Sequence, residues 1–121
     1  MNILISYSSS KPIYTQIVDQ IKKQILIGKL HDNYAMPSIR VLAKELHVSV
    51  ITTKNAYTQL ESEGLLESVP GKGFFVKAQN GEVLKLKKLE LIEEKLNEII
   101  EESKLLDISL DKLIEIIKNN Y

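Results

Sequence analysis

Cysteine is absent from the 121 residues. That excludes a small secreted domain held by disulfides and a metal site built on thiolates. Glycine and proline are sparse, five and three, in a composition near the globular average, 44% hydrophobic and 26% charged. Collagen-like, mucin-like and wholly disordered chains are thereby ruled out. No apolar run comes near the roughly 20 residues needed to span a bilayer. The N-terminal MNILISYSSSKP lacks the basic and then apolar layout of a secretory signal. The expectation is a soluble cytoplasmic protein with no membrane partner. A net charge of one sign is missing as well: sixteen basic residues meet sixteen acidic ones. Taken whole, that balance argues against a strongly cationic nucleic-acid binder. The length allows one ordinary domain, or a small domain with an appendage.

The pattern along the chain is more informative than its totals. Asn2 to Tyr7 reads as an extended arm or short strand, followed by Ser8-Ser9-Ser10. Pro12 sits where the first turn of a helix accepts it. Ile13, Ile17, Ile21 and Ile25 then recur every four residues, with Tyr14, Val18 and Leu26 widening the stripe, up to a stop near Gly28. Tyr14 and Tyr57 are both expected in the core or in helix packing. Leu30 to Pro37 reads as a connection in which Asn33 can take a left-handed backbone. Ser38 caps a short helix with Ile39, Leu42, Ala43 and Leu46 on its apolar side, and His47-Val48-Ser49 breaks it. A further helix from Val50 to about Glu63 places Ala56, Tyr57 and Leu60 inward.

The period then changes. Leu65–Val69 and Phe74–Val76 are short apolar segments joined by Pro70-Gly71-Lys72-Gly73, which predicts a β-hairpin. Helix, short helix, tight turn, helix, hairpin is the layout of a winged helix-turn-helix. Beyond Asn80-Gly81 the character differs. Leu89, Ile92, Leu96, Ile99 and Leu106 form a seam at 3–4 spacing, with Ser103 in one slot. A last short helix carries Leu110, Leu113, Ile114 and Ile117, with Ser109 as its cap and Asp111 favouring the helix dipole. The predicted fold is mainly α with a small β-hairpin wing. Residues 1–78 are expected to form the winged helix-turn-helix head and residues 79–121 a separate two-helix tail.

Divided near that boundary, the zero charge resolves into two halves. Met1 to Lys77 holds nine basic and six acidic residues, +3; Ala78 to Tyr121 holds seven and ten, −3. The half with helix-turn-helix spacing is the basic half.

Chemistry-bearing motifs are missing. His31 and His47 are the two histidines, each in a turn and without cysteine partners, so no metal site is expected. There is no nucleophile elbow, P-loop or zinc-hydrolase motif, and no Ser-His-Asp spacing. No enzyme activity and no cofactor are expected.

Four stretches in fixed order, PIYTQIVDQIKKQILIGKL, MPSIRVLAKELHVS, TKNAYTQLESEGLLE and GKGFFV, resemble the signature of GntR-type transcriptional regulators over Pro12 to Val76. The short two-helix tail resembles the YtrA-like subfamily, whose members lack large effector-binding domains and dimerise through the tail. The resemblance implies a transcriptional regulator, in all expectation a repressor, acting as a homodimer on a palindromic operator, with control of a neighbouring transporter operon. Departures from the family are Asp32-Asn33 where Pro-Gly is usual, Met36 where Leu is usual, and Val50 where much of the family has a base-reading Arg. The operator of the wider family therefore does not carry over.

The candidate reading residues follow from how such a fold docks. The second helix of the motif enters the major groove by its N-terminal turns while the first crosses the backbone. Ser49, Val50, Ile51, Thr52, Lys54 and Asn55 occupy those turns. Thr52 can donate to a phosphate or a base, and Lys54 can neutralise a phosphate or reach guanine. Val50 and Ile51 either meet thymine methyls or are buried in the turn. Arg40, the one arginine of the chain, is implied by the resemblance to contact DNA, and its planar fork suits guanine or phosphate; the alternative is an ion pair with Glu45. Lys44 is a phosphate neighbour or a solvated charge. Ser38 stands at a helix N-terminus that favours an anion. Gly71, Lys72 and Gly73 form a wing tip able to approach a groove.

In the tail, Leu89, Ile92, Leu96, Ile99, Leu106, Leu110, Leu113, Ile114 and Ile117 are the candidate dimerisation residues, since paired half-sites combine two weak affinities; the alternative is that the seam packs only on its own DNA-binding domain. The roughly 44 residues of the tail give little volume for a closed ligand pocket. Any small-molecule effector stays unidentified. The competing reading is a winged-helix protein–protein adaptor that has lost DNA binding, suggested by the missing Arg at Val50 and the weak net charge.

Overall fold

A computed structural model describes residues 1–121. Seven elements follow in order: α1 (Ile13–Leu26), α2 (Ile39–Leu46), α3 (Val50–Ser62), β1 (Leu66–Val69), β2 (Gly73–Val76), α4 (Gly81–Leu105) and α5 (Leu110–Asn120). The chain divides into two compact units, Met1–Gly81 and Glu82–Tyr121.

In the first unit, α3 is the hub and packs on α1, α2 and β1. The periodic stripe of α1 is what is buried there: Ile17, Val18, Ile21, Ile25 and Leu26 are inside, meeting a core that includes Leu42, Ala43, Ala56, Tyr57, Leu60, Leu65, Leu66 and Val76. Each large aliphatic or aromatic residue fully removed from water there contributes about 1.5–3 kcal/mol of transfer free energy. Tyr57 is inside as expected, but Tyr14 is 42% exposed. It lies in line with the stripe, four residues before Val18, but in the first turn of α1, at the end of the helix.

The helix boundaries have local causes. Pro12, with φ −55°, precedes α1 and lacks the N–H that a helix start would leave unpaired. α2 ends where His47 takes a left-handed conformation, φ 56°, and Val48 N–H returns to the Ala43 carbonyl at 3.0 Å. Asn33 is left-handed too, φ 66°.

The hairpin pairs Leu66 with Val76 and Val69 with Gly73, antiparallel. The connection before α2 is more structured than its sequence suggests. Asn33 N–H bonds the Val76 carbonyl at 2.8 Å, Val76 N–H the Tyr34 carbonyl at 2.9 Å, and Met36 N–H the Phe74 carbonyl at 2.9 Å. Ala35 bridges Phe75, so the outer edge of β2 is covered and unavailable for stray pairing.

The N-terminal arm forms no strand. Three glutamines one turn apart on α1 hold it instead. Gln16 accepts from Ser6 N–H at 2.8 Å and donates to the Ser6 carbonyl at 2.9 Å. Gln20 does the same for Leu4, at 2.9 and 2.7 Å. Gln24 donates to the Asn2 carbonyl at 2.8 Å, while its own Oε1 is buried without a partner. Each complete amide pair reproduces the two-bond exchange of a β-ladder, and Ile3 is buried beneath.

The second unit is of another kind. Ser109 caps α5 by accepting from Lys112 N–H at 3.1 Å, and Asp111 lies in its first turn. α4 runs 25 residues and α5 eleven, yet Ser103 is the one buried residue between Glu82 and Tyr121. Leu106 lies just past the end of α4, in the turn leading to left-handed Asp107, φ 56°. No helix of the chain is long and apolar enough to cross a membrane.

Candidate nucleic-acid interface

The turn between α2 and α3 sets the geometry of the site. Ser38 starts α2 by accepting from Val41 N–H at 3.2 Å, and Ser49 starts α3 by accepting from Thr52 N–H at 3.0 Å. Both are the short polar caps that satisfy orphan N–H groups at a helix start. Thr53 turns inward, fully buried, and donates to the Ser49 carbonyl at 3.2 Å. The Ser49 and Thr52 hydroxyls lie 2.7 Å apart and share one hydrogen bond. Of the three hydroxyls in this turn, Thr53 is therefore committed to the fold. One of the other two is a donor to its neighbour, leaving a single proton to offer outward.

Around this cap the exposed residues fall into two chemical sets. Arg40 and Lys44 on α2, and Lys54 and Asn55 on α3, are exposed. No acid pairs with Arg40; the ion pairs of the head join Lys11 to Asp19 and Lys22 to Glu63. The alternative of an Arg40–Glu45 pair is not what the structure shows. The second set is apolar: Val50 is 41% and Ile51 71% exposed, with Val41 on α2 at 49%. Burial of both Val50 and Ile51 in the turn is therefore excluded, because the inward position of that turn is taken by Thr53.

The wing places Lys72 at its tip between Gly71, φ 75°, and Gly73, φ 104°, all three exposed. Both glycines occupy backbone conformations that side chains resist, and Lys72 N–H closes the turn on the Val69 carbonyl at 2.9 Å. The base of the wing is tied to the head through Tyr57. Its ring meets Phe74 edge-on with centroids 5.1 Å apart, and its hydroxyl donates to the Pro37 carbonyl at 2.7 Å. Burial pushes the Tyr57 hydroxyl well above its ordinary range, with Glu45 and Tyr34 adding to the effect. It therefore stays a neutral donor at physiological pH.

Reasoning from sequence missed two features here. Tyr14 lines an open groove of about 370 Å³ with Asn55, Thr58, Gln59 and Ser62 on the outer side of α3. Val41 is exposed although it sits in an apolar-looking run. Val41 carries no pattern signal, because a single apolar residue at the edge of a short amphipathic helix fits either face, and the pattern that places Tyr14 in the stripe of α1 does not show that it stands in the first turn.

In the tail, Leu89, Ile92, Leu96, Ile99, Leu106, Leu110, Ile114 and Ile117 are exposed and Leu113 is half-buried. Nothing in the chain itself covers this apolar surface.

Comparison with known proteins agrees with this geometry. Residues 13–76 match the family described as bacterial regulatory proteins, gntR family. The chain is 34% identical over 116 residues, 96% of its own length and 89% of the relative's, to the HTH-type transcriptional repressor YtrA of Bacillus subtilis (strain 168). A crystal structure of a protein described as a transcriptional antiterminator from Listeria monocytogenes EGD-e superimposes with a TM-score of 0.78 at 31% identity, covering 99% of this chain and 90% of that one. The AraR DNA-binding domain, solved in complex with operator ORX1, gives 0.55 at 33% identity over 63% of this chain and 95% of that domain. Family and fold are those of non-catalytic regulators, and the chain belongs to the GntR family of bacterial regulatory proteins as a winged-helix DNA-binding regulator.

Proposed function

We propose that this regulator is a cytoplasmic, homodimeric repressor of the short-tailed, YtrA-like kind. It binds a palindromic operator with residues 1–78 of each copy and dimerises through residues 79–121. The observation that carries the DNA side is the cluster Arg40, Lys54 and Asn55, exposed without protein partners around the first turns of α3. Arg40 and Lys44 supply backbone or guanine contacts, and Ser38 offers a helix start to a phosphate. Lys54, Asn55 and the free hydroxyl of the Ser49–Thr52 pair face base edges, and Gly71-Lys72-Gly73 follows the neighbouring groove.

Dimerisation is supported by the tail's composition of surfaces. A unit with one buried residue has no core to hold it. An isolated eleven-residue helix such as α5 is marginal in water. Pairing Leu89, Ile92, Leu96 and Ile99 of two copies, with Leu110, Leu113, Ile114 and Ile117 alongside, supplies the missing burial, and a dimer of this kind reads half-sites about one helical turn apart. Repression is supported by the likeness to YtrA, whose description is that of a repressor; a neighbouring transporter operon as target rests on the resemblance to the YtrA-like subfamily alone.

Footprinting on the protein's own upstream region tests the proposal. A protected palindrome at low salt, with affinity falling steeply as salt rises, is the expected result. No protection and no DNA affinity would overturn it in favour of an adaptor that recognises protein.

A further inference from the structure

The start of α3 exposes carbon to solvent, and this bears on which bases the regulator reads. Ile51 is 71% and Val50 41% exposed, and the fold explains neither. The core at this turn is filled by Thr53, and the cap is made by Ser49 with Thr52. β-branched residues also form helix less readily than the straight-chain residues a solvated position normally carries. Both do have the property that rigid apolar recognition requires. A β-branched side chain in a helix occupies essentially one χ1 rotamer, so little freedom is lost on contact.

The major groove offers one apolar feature among its base edges, the C5-methyl group of thymine. A cytosine or guanine placed under Val50 or Ile51 would have its amino or carbonyl edge stripped of water with no donor or acceptor to replace it. Charge complementarity identifies DNA as the occupant of this patch. Arg40, Lys44 and Lys54 are exposed on the same two helices, Lys72 tips the wing, and the head carries +3 overall.

Resting on the DNA-binding reading above, we propose that Val50 and Ile51 are specificity determinants that select thymine through its methyl group. Each half-site then carries thymine at the positions under the start of α3.

The test removes the methyl alone. The full-length protein is used to select a bound sequence from a random duplex DNA pool, and the selected duplex is resynthesised with each thymine in turn replaced by uracil. Loss of one buried methyl weakens binding about fourfold. That loss is expected at one or two positions per half-site, and at the position under each residue it is expected to vanish in Ile51→Ser or Val50→Ser, whose exposed sites leave folding intact. Uracil tolerated everywhere, or an equal loss in wild type and variants, overturns methyl recognition and leaves DNA binding standing. Failure to enrich any duplex overturns both.

Discussion

The Tyr57 hydroxyl donates to the Pro37 carbonyl at 2.7 Å, tying the middle of the reading helix to the residue that precedes the cap of α2. The phenol is fully buried, and its ring meets Phe74 at the root of the wing. One side chain thus fixes α3 relative to both the start of α2 and the wing. Tyr57→Phe retains the ring and leaves the Pro37 carbonyl without its donor. A destabilisation of about 1–3 kcal/mol is expected, measured by urea denaturation, with weakened operator binding as a secondary effect of the loosened α2 start.

The same residue predicts a pH dependence with a defined sign. Burial raises the folded-state pKa of Tyr57 above the ordinary value of 10.0. Its contribution is therefore complete below about pH 10 and is lost as pH rises above it, because the unfolded chain then ionises first. Unfolding free energy measured from pH 8 upward should fall more steeply above pH 10 in wild type than in Tyr57→Phe. Parallel curves would contradict the assignment.

Arg40 and Lys72 should separate two kinds of DNA contact. Arg40 is exposed and unpaired beside the reading helix, so Arg40→Ala should cost about 1–3 kcal/mol of operator affinity if it reaches a base. Lys72 stands exposed at the hairpin tip, and the proposal gives it a phosphate contact. Lys72→Ala should weaken all sequences alike and reduce the salt slope by about one. Fluorescence anisotropy over a salt series, on operator and on scrambled duplex, distinguishes the two patterns.

Much of the head is legible in sequence because its rules are local. Ser38 and Ser109 announce helix starts, the isoleucines of α1 repeat at helical spacing, and Gly71-Lys72-Gly73 marks a tight tip. What escaped reading depends on partners distant in the chain. Gln16, Gln20 and Gln24 look like a solvated face, yet they grip the backbone of the arm, and backbone has no sequence signature. Residues 33–36 join β2 through main-chain bonds for the same reason. Lys22 is buried because Glu63, 41 positions later, comes within 2.9 Å of it. At the interface, the burial of Thr53 decided the fate of Val50 and Ile51. With four β-branched residues in a row, periodicity alone cannot say which one turns inward.

The glutamine ladder makes its own prediction. Gln16 is 9% exposed and holds Ser6 by both its N–H and carbonyl, with a further bond to the Lys11 carbonyl at 3.0 Å. Gln16→Ala should release the arm while leaving the helical core in place. Hydrogen exchange at Ser6 should accelerate strongly, with a smaller increase at Leu4, and stability should fall by about 1–2 kcal/mol. Unchanged exchange at Ser6 would show that the arm is held by Ile3 alone.

The tail gives the sharpest separation between an interface and a mere surface. Ile92 is 61% and Leu96 37% exposed in the single chain, so placing a carboxylate there costs an isolated protomer little. In a two-fold interface the same carboxylates would face their own copies across an apolar seam, and each would have to give up its water. Ile92→Glu and Leu96→Glu should therefore convert a dimer into a monomer in sedimentation equilibrium. They should also remove helical signal from α4 and α5, and abolish the concentration dependence of Tm that a wild-type dimer shows. Operator affinity should collapse to that of one head, while Tyr57 stays buried and the head stays folded. Variants that sediment, melt and bind as wild type does would mean that some other surface brings two heads to one operator.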